Sequence, residues 1–133
     1  MDSNEERKAW REVKAGKKFQ NAFRGVHVFL ATTKLEYLVV YVMATVVVIV
    51  SGFCFGVSSL EWIALVFSIG FVIVSEVFNT AIEIDIDLTS PEYHPYARDT
   101  KDVAAAAVLL SLFVSIIVGL IIFLPKILLY VNI

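Results

Sequence analysis

Trp62-Ile-Ala-Leu-Val-Phe-Ser-Ile-Gly-Phe-Val-Ile-Val-Ser-Glu76-Val-Phe-Asn79-Thr-Ala-Ile-Glu83-Ile-Asp-Ile-Asp87 opens as a membrane span and closes as an acidic helix face. A crossing needs about 20 mainly apolar residues, and Glu76 interrupts this one before that length is reached. At about 100° per residue, Glu76, Asn79, Thr80, Glu83 and Asp87 fall within a sector of roughly 100°, while Asp85 points the other way. A carboxylate at that depth costs about 2.5–3.5 kcal/mol by insertion measurements. A chain keeps such a group for a partner, an ion or a reaction.

Outward from that stretch, the composition agrees with a bilayer setting. The 133 residues are 59% hydrophobic with a mean hydropathy of +0.80, which excludes an ordinary soluble enzyme. Charge is concentrated in two regions. Residues 1–36 hold eight Lys/Arg and five Asp/Glu, and residues 82–102 hold two basic and six acidic residues. The fold class expected is all-α and polytopic, one integral membrane domain over residues 1–133. Its three spans run from Leu38 to Phe55, Trp62 to Ala81 and Val103 to Leu124. Tyr37, Trp62 and Tyr130 stand near span ends, where amphipathic rings settle. The N-terminus is too polar for a cleavable signal, so the first span is expected to be retained.

Glu5 to Thr33 carries Trp10, Val13, Phe19, Phe23, Val26 and Leu30 at helical spacing, interleaved with Arg7, Lys8, Arg11, Lys14, Lys17 and Lys18. This predicts an amphipathic helix on the membrane surface, with a solvated basic tail as the alternative for residues 1–12. The basic N-terminus, the Gly56–Glu61 link without Lys or Arg, and Arg98 and Lys101 in the second link place the N-terminus and the acidic cluster in the cytoplasm. Cys54, the single cysteine, excludes an intrachain disulfide and reads as an apolar filler.

The link from Leu88 to Thr100 contains Ser90-Pro91-Glu92-Tyr93-His94-Pro95-Tyr96 and predicts a short ordered turn. Asp99 or Thr100 is expected to cap the third span, placing Lys101 and Asp102 in its first turn. A cation there is disfavoured by the helix dipole, so a bound phosphate would rationalise Lys101. Ala107, Ser111, Ser115 and Gly119, four apart, predict a close helix–helix contact within or between subunits. Pro125 is expected to end or kink the span, and Lys126 to reach headgroups beyond it.

A carboxylate stripe, a Lys-Asp pair opening the next helix and a cytosolic location suit phosphoryl transfer from a metal-bound nucleotide, which needs a phosphate clamp, a carboxylate-held metal and a base. Glu76, the deepest, can reach a lipid hydroxyl. Glu83 lies about 10 Å nearer the cytoplasm and suits chelation. Glycine loops, Cys/His metal spacing and a nucleophile elbow are missing from the sequence. The rival readings are a small oligomeric ion or proton pathway, and an inactive scaffold.

Glu76-Val-Phe-Asn79-Thr80-Ala81-Ile82-Glu83, Asp87, Ser90-Pro91-Glu92-Tyr93-His94-Pro95 and Ala97-Arg98-Asp99-Thr100-Lys101-Asp102-Val103-Ala104-Ala105 closely resemble the prokaryotic diacylglycerol kinase family. The Pro-flanked Glu-Tyr-His turn is more similar to its Gram-positive undecaprenol kinase branch. The resemblance extends from Phe19-Gln-Asn-Ala22-Phe23-Arg-Gly25 to about Phe123.

It implies a bacterial plasma-membrane lipid kinase, a homotrimer with active sites shared between subunits, which phosphorylates undecaprenol or diacylglycerol. Its partners would be lipid and ATP, with no nucleic acid. By the same resemblance Glu76 is the general base, Glu83 a Mg2+ ligand, and Asn79 and Asp87 shape the site. The nucleotide would meet Glu83, Asp87, Glu92, Tyr93, His94, Lys101 and Asp102, with Lys101 on the phosphates of ATP. Two positions depart from the pattern. The family's second metal-binding Glu falls on Thr33, so that either Glu36, one turn displaced, takes over the role or the site has a single protein carboxylate, and an aromatic usually near the nucleotide falls on Asn21.

Overall fold

The computed structural model describes residues 18–131 together with Glu5, Arg7 and Lys8. Four helices run through this range: α1 (Lys18–Thr32), α2 (Leu35–Cys54), α3 (Ser59–Thr89) and α4 (Pro95–Tyr130). No strand occurs among the described residues. The three later helices are each long and apolar enough to cross a membrane. The chain divides into two compact units, Met1–Lys34 and Leu35–Ile133.

In the first unit, Phe19, Phe23, Val26 and Leu30 are all exposed and share one stripe of α1, as their three- and four-residue spacing requires. At its C-terminal end the Thr32 hydroxyl donates to the Val28 carbonyl at 2.8 Å and Thr33 Oγ1 to the Phe29 carbonyl at 2.7 Å. The half of the expected surface helix that contains Trp10, Val13, Lys14 and Lys17 lies outside the described residues.

The second unit begins with α2, whose valine-rich sequence is a modest helix former in water. In hydrocarbon every backbone polar group must be satisfied internally, and that requirement overrides propensity. The helix ends at a left-handed Gly56 (φ 60°). Val57 N–H donates to the Gly52 carbonyl at 3.0 Å and Gly56 N–H to the Phe53 carbonyl at 3.4 Å, the paired bonds of a Schellman cap. Ser58 then starts α3 with a capping box. Its backbone N–H donates to Glu61 Oε2 at 2.7 Å, and Glu61 N–H donates to Ser58 Oγ at 3.4 Å. Both faces of this tight return are close. A Cβ on Gly52 would lie 2.5 Å from the Trp62 ring.

Helix α3 spans 31 residues and α4 spans 36, about 46 and 54 Å at 1.5 Å per residue. Each exceeds a hydrocarbon core of about 30 Å, so helix persists where apolarity stops. α3 and α4 pack antiparallel along their length. Ala104, Val108, Ser111 and Ile122 form the buried line of α4, with Ser111 fully enclosed. Ser115 Oγ is placed between two carbonyls, of Ser68 at 3.1 Å and Ser111 at 2.8 Å. The small-residue face is thus occupied within the chain at Ser111 and Ser115, while Ala107 is exposed. Val57, Leu65 and Ile122 form a buried cluster that Val48, Trp62, Val118 and Phe123 surround.

Four expectations are revised. The connecting turn occupies only residues 90–94, because Pro95 begins α4 rather than blocking it. Proline lacks only an N–H that a first helical residue leaves unpaired, and its φ suits that place. His94, not Asp99 or Thr100, is the cap: its Nδ1 accepts from Tyr96 N–H at 3.3 Å. Lys101 and Asp102 therefore lie in the second turn of α4. Pro125 does not end the helix, which continues to Tyr130; transmembrane helices tolerate an interior proline where neighbours compensate. Finally, Lys126 meets Glu61 Oε2 at 3.2 Å and so ties the end of α4 to the start of α3.

Candidate active site

The uninterrupted run of α3 to Thr89 carries the acidic stripe as one rigid array. Glu76, half-buried, accepts a hydrogen bond at Oε1 from the phenol of Tyr41 on α2. Three residues on, Asn79 Nδ2 donates to Glu83 Oε1 at 3.1 Å. The carboxylate acceptor fixes the amide's orientation, and Asn79 Oδ1 is left buried without a partner. Buried acceptors are seldom orphaned, so this oxygen marks a place where another group belongs.

One turn beyond Glu83, Asp87 reaches across the α3–α4 turn to Lys101, Oδ1 to Nζ 2.5 Å. The cation for which the sequence suggests a bound phosphate is paired here with a carboxylate of the stripe. Asp102 lies 3.9 Å from Arg98 Nε, whose guanidinium also holds Asp99 at 3.0 Å. In the turn itself Glu92 and Tyr93 are exposed, and the His94 ring stacks on Tyr96 with centroids 5.6 Å apart. The structure thus joins Glu76 to Tyr41, Asn79 to Glu83 and Asp87 to Lys101 in ascending order along α3, about 16 Å from Glu76 to Asp87.

Glu36 lies in the first turn of α2 and is exposed. It precedes Tyr41 by five residues, about 140° round the helix, and so leaves the face that Tyr41 turns to Glu76. Among the described residues no three or more His, Cys, Asp and Glu side chains gather to cage a metal ion. A hard cation that keeps waters and substrate phosphates needs only one or two carboxylates, and Glu83 with the orphaned Asn79 oxygen meets that requirement.

On the side of Tyr41 remote from the acidic stripe, an apolar cavity of about 280 Å³ opens between α2, α3 and α4. Leu65, Val72, Ser115, Gly119 and Phe123 are among its lining residues. Tyr41 was not among the site residues expected from the sequence, because its bond to Glu76 links residues 35 apart and no local spacing announces it.

The profile of the prokaryotic diacylglycerol kinase family matches residues 20–123. The chain belongs to this family. It is a membrane lipid kinase with ATP as phosphoryl donor, which decides against the ion-pathway reading. The kinase is 37% identical over 110 residues to the undecaprenol kinase of Bacillus subtilis, covering 83% of this chain and 88% of that protein. It is 38% identical over 72 residues to a diacylglycerol kinase of Helicobacter pylori, half of this chain and 56% of that one. With the Escherichia coli K12 diacylglycerol kinase it shares 31% identity over 75 residues, 56% of this chain and 62% of the other. No solved structure matches the kinase.

Proposed function

We propose that the kinase transfers the γ-phosphoryl group of Mg-ATP to the hydroxyl of undecaprenol or a similar lipid alcohol, with diacylglycerol as the second acceptor. The observation that carries this reading is the position of Glu76. It stands between an apolar cavity reached through Tyr41 and a polar stripe that ends in the Asp87–Lys101 pair. A greasy alcohol can approach from one side and a nucleotide from the other.

Glu76 takes the hydroxyl proton as general base. The freed oxygen attacks the γ-phosphorus, the bridging P–O bond breaks, and ADP departs with the electron pair. Lys101 holds phosphate oxygens, an exchange of one anionic partner for another that leaves Asp87 free to face the nucleotide. Glu92, Tyr93, His94 and Asp102 border the nucleotide from the turn and the first turns of α4. Glu83 and Asn79 would hold the magnesium ion, which when bound neutralises charge on the phosphates.

The functional domain is the whole chain, residues 1–133, working as a homotrimer in the bacterial plasma membrane with its N-terminus in the cytoplasm. Basic residues at the N-terminus and beside the acidic turn support that orientation. Shared sites would also explain why Glu36 leaves the Tyr41 face, since a ligand on the far side of α2 serves a neighbour's site more readily than its own.

Purified protein incubated with labelled ATP and each lipid tests the reading. Glu76→Gln should reduce turnover to a small residual rate and leave the oligomer intact. Full activity in that variant removes the base assignment.

A further inference from the structure

We propose that Tyr41 is a positioning residue for the phosphoryl-acceptor step: its phenol fixes the Glu76 carboxylate at the mouth of the apolar cavity, ready for the lipid hydroxyl. This rests on Glu76 as the base.

Of the chain's five tyrosines, Tyr37, Tyr93, Tyr96 and Tyr130 are more than half exposed. Those near span ends have the ordinary explanation of an interfacial ring. Tyr41 differs. It is half-buried, six residues inside a 20-residue apolar helix, about 9 Å from the start of α2. A phenol at that depth needs an acceptor, and the one it has is a carboxylate of the opposite helix. The same side chain lines the cavity that leads away from the acidic stripe. Tyr41 therefore touches both the base and the apolar route by which a lipid alcohol reaches it.

The geometry assigns the two carboxylate oxygens different tasks. Oε1 accepts from Tyr41, which removes rotation about the terminal torsion of Glu76. Oε2 is left to take the proton of the acceptor hydroxyl as its oxygen forms the bond to γ-phosphorus and ADP leaves. Without the phenol the carboxylate turns among several rotamers, and the fraction aimed at the hydroxyl falls. Nucleotide binding is untouched, because the Asp87–Lys101 pair lies about 16 Å farther along α3.

The test is Tyr41→Phe, alone and combined with Glu76→Gln, in the full-length protein in lipid bicelles with undecaprenol. Loss of one hydrogen bond to a charged partner should lower kcat about ten- to a hundredfold, with KM for Mg-ATP within about twofold of the parent. The residual rate of Glu76→Gln should be unaffected by adding Tyr41→Phe, since there is no longer a carboxylate to aim. A purely structural role would lower the residual rate in both backgrounds, and that result overturns the proposal. So does a parental kcat in Tyr41→Phe. If Glu76→Gln is inactive while Tyr41→Phe turns over normally, the base assignment stands and the positioning role alone falls. If Glu76→Gln retains full activity, both fall together.

Discussion

Replacing Lys101 by Met separates its observed role, partner of Asp87, from its proposed one, ligand of phosphate. The ion pair is short, 2.5 Å, but its side chains are 36% and 68% exposed, and exposed pairs contribute no more than about 1 kcal/mol. Lys101→Met should therefore move the unfolding midpoint by less than about 5 °C. The phosphate contact is worth more, because a hydrogen bond between charged partners contributes about 1.5–3 kcal/mol. The expected result is a KM for Mg-ATP raised about ten- to a hundredfold, with Lys101→Arg recovering a large part through its retained charge. Initial rates of ADP release at fixed lipid and varied ATP read the effect, beside a thermal scan of the same preparation. An unchanged KM together with a large fall in midpoint would refute the reasoning and reduce Lys101 to a clasp between α3 and α4.

Two further outcomes follow from single observations. Asn79→Leu removes the orphaned buried oxygen, so the metal-free protein should be as stable as the parent or slightly more so, while half-saturation by magnesium rises several-fold in the activity assay. Gly52→Ala drives a Cβ to within 2.5 Å of the Trp62 ring; it should destabilise the α2–α3 return by about 1–3 kcal/mol, read as a lower unfolding midpoint in bicelles.

The spans and the stripe were legible because each rests on local periodicity. Apolar length alone marks α2, and the positions of Glu76, Asn79, Glu83 and Asp87 need only a continuous helix, which Ser59–Thr89 provides. Local spacing puts the cap of α4 five or six residues too late, because two prolines mark a break, whereas Pro95 occupies the one helical position that favours proline. His94 as a cap is equally hard to foresee, since the usual caps are Ser, Thr, Asp and Asn. The end of α4 was missed because hydropathy registers the bilayer and not the helix. Tyr41–Glu76, Lys126–Glu61 and Lys101–Asp87 join different helices, and pairing across elements leaves no mark at the spacing of either residue.

The depth of each charged group explains why this fold suits a reaction between unlike phases. Lys126 and Glu61 pair at the end of the α3–α4 hairpin opposite the acidic turn, and Lys101 and Asp87 pair at the other end. Between them the described residues of α3 and α4 carry only the acids near the second pair and Glu76. Glu76 lies five residues inside the expected end of its span at Ala81, about 8 Å, and is half-buried there. A phenol donates to it there, and the Ser115 hydroxyl, donating to the Ser68 carbonyl at 3.1 Å, ties α4 to α3. A helix that shifted by one turn would carry its carboxylate about 5.4 Å toward either phase, so with Glu76 as the proposed base, a fixed register of α3 against α4 keeps the carboxylate within reach of both the hydroxyl and the phosphate.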